Sequence, residues 1–182
     1  MNRPTGSPDP VDDPGGYQRH LLGLLGEDDP VEVQSATPAA WRALVEEAGD
    51  VVARRPEAAE WSVLECLAHA ADAEIVYSGR YRWILAHDEP ALIGYDQDLW
   101  VDRIHGEGDD PEELLAILET LRRANLALWG RTRPEDRSRV GVHAERGPES
   151  LDLSFRLIAG HDRFHLHQAR RALVAVRRSA AP

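Results

Sequence analysis

The sequence predicts an all-α fold, a four-helix bundle with short extra helices in its connections. Three observations predict it. Four long segments carry apolar residues at helical spacing. Three of them open on a capping signal or on Pro at the first helical position. No segment alternates apolar and polar residues with the period of a strand.

The elements follow in order. Residues 1–16 hold four Pro and three Gly among Asp and Ser, and read as a flexible N-terminal arm. A single domain over residues 17–178 follows. Tyr17 to Leu25 is a short apolar helix stopped by Gly26 and Glu27-Asp28-Asp29-Pro30. Thr37-Pro38 reads as the start of the next helix, with Trp41, Leu44, Val45 and Ala48 on one face and an end near Arg54-Arg55-Pro56. Ser62 with Glu65 three residues later forms a capping box, and the helix it opens runs to about His87. Asp96 to Arg103 is a candidate short helix within the irregular stretch 90–110. Asp110-Pro111 opens a helix with Leu114, Leu115, Leu118, Leu121 and Leu128 on its core face, ending near Gly130. Residues 131–149 read as a charged loop, and the last helix runs from Ser150 to about Arg178.

Composition sets the outer limits. The chain has 182 residues and a formal net charge of −11, and all 21 of its basic residues are Arg. Such an acidic chain repels phosphate backbones, which argues against nucleic-acid binding. No run approaches the roughly 20 apolar residues of a membrane span. Cys66 is the single cysteine, so no intrachain disulfide forms, which suits a reducing cytoplasm. The expected setting is cytoplasmic, and Cys66 itself reads as a buried structural thiol.

The chemistry is carried by histidines. His161 and His165 are four residues apart and therefore one turn apart on one helix face. On a wheel of about 100° per residue they fall with Leu157, Ile158, Phe164 and Gln168, while His167 falls with Arg156, Arg163 and Arg170. Both therefore point inward. Burying two neutral imidazoles is costly unless each finds a partner, and a shared metal is one such partner. His69, on the helix opened by Ser62, is the candidate third ligand. Glu65 and Asp72 lie one turn either side of it. Each is a candidate to orient the imidazole or to serve as a catalytic base; the alternatives are helix capping for Glu65 and a solvated face for Asp72. Tyr95 and Asp96 are candidates for a pocket mouth, or for a plain turn. His87, His105 and His143 sit at helix ends or in loops and read as solvated.

These motifs carry a resemblance. Trp61-Ser-Val-Leu-Glu-Cys-Leu-Ala-His69-Ala-Ala-Asp72 resembles the "W-S-V-x-E-x-x-x-H-x-x-D" segment of the DinB-like superfamily, which includes YfiT-like metal enzymes. His161-Asp-Arg-Phe-His165-Leu-His-Gln168 resembles its C-terminal "H-x-x-x-H-x-x-Q" helix. Residues 90–100 resemble its connecting loop, and Gly141 to Gly147 the turn before its last helix. The resemblance covers most of residues 17–175, in order. Phe164 departs from the pattern, since relatives often carry a second adjacent His there, outside the ligand set. The resemblance implies a DinB/YfiT-like up-down-down-up bundle, a divalent metal held by His69, His161 and His165, and frequent homodimers. It also implies relatives that transfer low-molecular-weight thiols such as bacillithiol or mycothiol.

Three protein ligands leave a coordination position open, which is the arrangement of catalytic sites. The leading functional expectation is a metal-dependent thiol transferase acting on a small electrophilic molecule. Its chemical sibling is a metal-dependent hydrolase. The competing expectation is a non-catalytic bundle that binds metal or a ligand. An all-histidine set suits Zn, Ni, Fe or Mn.

Overall fold

A computed structural model describes residues 12–179. The element order is α1 (Pro14–Leu25), α2 (Pro30–Ala48), a 3-10 turn (Gly49–Val51), α3 (Val63–Ala86), β1 (Ala91–Leu92), α4 (Gln97–Ile104), α5 (Pro111–Trp129), α6 (Pro134–Arg137), β2 (Val140–His143), β3 (Gly147–Ser150) and α7 (Leu151–Ser179). The long helices α2, α3, α5 and α7 form the bundle, and α1 packs across α7. No helix of the described residues is long and apolar enough to cross a membrane.

Cross-helix pairs fix the directions. Between α2 and α7, Gln34 meets Phe155 and Thr37 meets Asp162, so these helices run parallel. Glu74 and Ser78 of α3 meet Arg122 and Asn125 of α5, again in parallel. His69 and Tyr81 of α3 meet His161 and Phe155 of α7 in antiparallel order. Arg122 and Glu119 of α5 meet Gln34 and Arg42 of α2, also antiparallel. This is the expected up-down-down-up bundle, with α2 and α3 on a diagonal. A parallel α3–α5 neighbour pair requires a long crossover, and residues 87–110 supply it.

Several boundaries differ from expectation. Helix α1 begins at Pro14, capped by Asp13, whose side chain accepts from the Gly16 amide at 2.8 Å. Residues 14–16 thus belong to the helix, while residues 1–11 of the expected arm lie outside the described residues. Helix α2 begins at Pro30 and not at Thr37-Pro38, because Asp29 caps it and Pro30 occupies the first turn. Pro38 is therefore internal, and its missing N–H frees the carbonyl of Gln34. Arg122 Nη1 donates to that carbonyl at 3.2 Å, which offsets the lost helix bond. The expected capping box is present, with Ser62 and Glu65 each bonding the other's backbone amide.

Residues 131–149 are not a plain loop. They hold α6 and a hairpin of β2 and β3, and β1 joins it in parallel to give the sheet order β1-β2-β3. Strands of two to four residues carry too little alternation to read from sequence. On α5, Leu121 and Leu128 are only half-buried, whereas Arg122 and Asn125 are buried in their place.

Candidate metal centre

The site forms where α3 and α7 cross antiparallel. His69 is on α3; His161 and His165 are on α7. All three are buried. Each offers one ring nitrogen, and these atoms lie within 4.8 Å of one another. The Nε2 atoms of His69 and His161 are 2.9 Å apart. Ligand nitrogens around a tetrahedral zinc at ~2.0–2.1 Å stand roughly 3.3 Å apart, so small side-chain adjustments reach that geometry.

Three observations fit these rings to a cation. First, the Nε2 of His165 is buried with no hydrogen-bond partner. Second, Gln168 Oε1 lies 3.0 Å from His165 Nδ1. An amide oxygen only accepts, so Nδ1 carries the hydrogen and Nε2 keeps its lone pair for a ligand. Third, burial, with the neighbouring imidazoles next, holds all three histidines well below the ordinary range. Neutral imidazoles are the form that binds metal.

Aromatic rings wall the site. Trp61 lies 5.2 Å from the His69 ring and stacks on His165 at 6.1 Å, and Phe164 meets His165 edge-on at 4.8 Å. Tyr95, from the crossover, stands 6.3 Å from the His69 ring and 4.7 Å from Trp100. Tyr95 is thus beside the His69 ring. Asp96 is not: it is exposed and caps α4 by accepting from the Leu99 amide at 2.9 Å. Trp61 precedes the helix that Ser62 opens, and its spacing carries no signal of packing on two histidines.

Neither carboxylate beside His69 orients its ring, whose Nδ1 has no partner. Glu65 accepts from the Ser62 amide and pairs with Arg55. Asp72 lies 3.0 Å from Nε2 of His105, whose Nδ1 lies 2.8 Å from Asp109. Exposure rises outward along this row, from 9% for the Asp72 side chain to 25% for Asp109. His105 is therefore not solvated as expected. His143 is also buried, where it meets Arg80, while His87 and His167 are exposed as anticipated. Cys66 is fully buried, and burial pushes its thiol far up, so it is no nucleophile.

A buried ion network fixes the two ligand-bearing helices. Arg122 of α5 pairs with Glu74 of α3 at 2.7 Å and with Asp162 of α7 at 2.5 Å. Asp162 is adjacent to His161, and Glu74 is five residues after His69. Gly160 allows a second constraint: a Cβ there would lie 2.1 Å from the Leu21 carbonyl oxygen, so α1 crosses α7 in contact beside His161.

Comparisons with known proteins agree with this geometry. The chain is 24% identical over 106 residues to a protein of Oceanobacillus iheyensis named a "putative metal-dependent hydrolase". That match covers 58% of this chain and 61% of the relative's length. The solved structure of YfiT from Bacillus subtilis, described as a probable metal-dependent hydrolase with an unusual four-helix bundle topology, superposes with a TM-score of 0.73 at 20% identity. The superposition covers 100% of this chain and 95% of that one. The family model of the DinB superfamily matches residues 33–169, so this chain belongs to the DinB superfamily.

Proposed function

We propose that this chain is a divalent-metal-dependent enzyme acting on a small molecule, with His69, His161 and His165 as the metal ligands. The observation that carries the reading is the convergence of three buried, neutral imidazoles from two helices. A divalent cation in such an open three-ligand site supplies a nucleophile at neutral pH by acidifying water or a thiol.

The chain's own residues divide the remaining work. Gln168 holds His165 in the tautomer that presents Nε2. Trp61, Phe164 and Tyr95 exclude water from the rings. We assign proton handling to Asp72, backed by His105 and Asp109. Burial holds the Asp72 carboxyl above its usual range, which favours accepting a proton. Glu65 positions the start of α3, and so Trp61, through the capping box. Asp96 shapes the rim by capping α4.

Hydrolysis is the reading that the relatives' names favour. A low-molecular-weight thiol is the second candidate nucleophile, favoured by the aromatic walls, since a thiolate tolerates an apolar setting better than hydroxide does. A homodimer is part of the same proposal, read by light scattering on the eluted peak.

The test starts from elemental analysis of purified protein, where about one divalent metal per chain is expected and His161→Ala removes it. Metal-free protein from a metal-replete preparation would overturn the reading. Metal-loaded protein is then assayed against esters and amides, and with bacillithiol, mycothiol or glutathione against electrophiles. Turnover in the first arm alone identifies a hydrolase, and in the second alone a thiol transferase. Metal binding with a large chelator effect on melting but no turnover in either arm favours a non-catalytic metal bundle.

A further inference from the structure

We propose that Arg80 forms an oxyanion subsite of this centre, recognising a carboxylate or phosphate group on the substrate. The reading of the histidines as a metal centre supplies the reacting end of that substrate; the subsite itself stands on separate residues.

Arg80 follows His69 by eleven residues on α3, so it shares a face with it about 16 Å further along the axis. Helical side chains lean toward the N-terminus, here toward His69. The Arg80 Cζ accordingly lies 5.0 Å over the ring of Tyr77, one turn back. Tyr95, 6.3 Å from the His69 ring, is also within electrostatic range of Arg80 and Tyr77. Tyr95 follows Ile93, whose carbonyl accepts from Arg80, by two residues, so the crossover passes from the guanidinium to the histidines.

Arg80 is 2% exposed. An arginine buried that deeply ordinarily has a carboxylate partner; Arg122 has two. Arg80 has none within ion-pair distance among the described residues. Its Nη2 donates to the Ile93 carbonyl at 2.8 Å and meets Nε2 of His143 at 3.1 Å. Its Nε is buried and donates to nothing. The nearby Glu149 is engaged by Arg146 at 2.7 Å and by Ser154. Glu145, also close by, is exposed and contributes no buried charge. His143 is neutral, with its pKa lowered to about 4 by burial and then by Arg146 and Arg80. Arg80 is therefore a buried cation whose nearest buried carboxylate, Glu149, is already engaged by other groups. An oxyanion would neutralise that charge and occupy the free donor, and the guanidinium fork suits both carboxylate and phosphate.

The experiment is calorimetric titration of the chelator-treated full chain with malonate and with inorganic phosphate. Chelation prevents the anions from binding a cation. Binding of at least one is expected, and the one preferred tells a carboxylate from a phosphate subsite. Arg80→Gln should abolish it, and Arg80→Lys, which keeps the charge but not the fork, should weaken it about tenfold. Circular dichroism checks that both variants are folded, and Arg80→Lys carries the test if Arg80→Gln does not fold. His161→Ala should leave anion binding unchanged. Equal affinity in wild type and the Arg80 variants, or no binding of either anion, overturns the subsite. Anion binding by protein that already lacks metal as purified from a metal-replete preparation, before any chelator, keeps the subsite and overturns the metal reading alone.

Discussion

The Nε2 atoms of His69 on α3 and His161 on α7 stand 2.9 Å apart although the residues are 92 positions apart in sequence. Two neutral imidazoles can share that contact only when one donates and the other accepts. His165 adds a further lone pair that Gln168 keeps turned inward. Converging lone pairs of this kind repel one another unless a proton or a cation sits among them.

Gln168 therefore tunes the site through the His165 ring. Gln168→Leu removes the acceptor that fixes the His165 tautomer. The expected outcome is a metal affinity weaker by about 10–100-fold with the fold intact, measured by competition with a chromogenic chelator. Unchanged affinity would remove Gln168 from the account.

Acid should destabilise the metal-free protein early. His69, His161 and His165 have native pKa values well below the ordinary 6.5, and His143 is lowered to about 4. Groups depressed in this way contribute stability that is present above the unfolded pKa. It is lost as pH falls, because the unfolded chain takes up protons that the native chain refuses. Each histidine then costs about 1.4 kcal/mol per pH unit below that point. Urea midpoints of chelated protein should fall between about pH 7 and pH 5, and a flat profile would contradict the neutral triad.

The crossing of α1 over α7 depends on Gly160. Gly160→Ala places a methyl 2.1 Å from the Leu21 carbonyl oxygen, closer than any side chain tolerates. Backbone must move, at a cost of about 1–3 kcal/mol, read from urea denaturation. The same shift falls beside His161, so metal affinity should drop as well.

Arg122 joins α5 to both ligand-bearing helices. Arg122→Ala leaves Glu74 and Asp162 buried and unpaired, and the expected loss is about 3–5 kcal/mol. A double variant, Arg122→Met with Asp162→Asn, should recover part of that loss, since one uncompensated charge is gone. A single variant as stable as wild type would show that the network contributes nothing.

The sequence made the bundle and the histidines legible for different physical reasons. Helical periodicity and the Ser62–Glu65 capping box are local, so α3, α5 and α7 could be placed closely. The inward direction of His161 and His165 followed from the same periodicity. The start of α2 was misplaced because Thr37-Pro38 imitates a helix start, and only Arg122, distant in sequence, makes an internal Pro38 tolerable. The role of His105 depends on Asp72 and Asp109 meeting it in space, and the burial of His143 depends on a hairpin too short to read. Arg122 and Asn125 did carry a signal, since they continue the face of Leu115 and Leu118, but charged residues on a core face are discounted when only apolar spacing is counted.

The parallel pairing of α3 with α5 has a consequence for how such a protein diversifies. The histidines belong to two helices clamped by buried ions, and they tolerate little change. The crossover that this connectivity requires brings Tyr95 beside the His69 ring; Leu92 and Val101 bury it in the bundle, while Ile93 and Leu99 stay exposed. Substitutions at those exposed positions can reshape the surface around the histidines at little cost to the scaffold's stability. The bundle separates the inheritance of its histidine cluster from the inheritance of the surface around it.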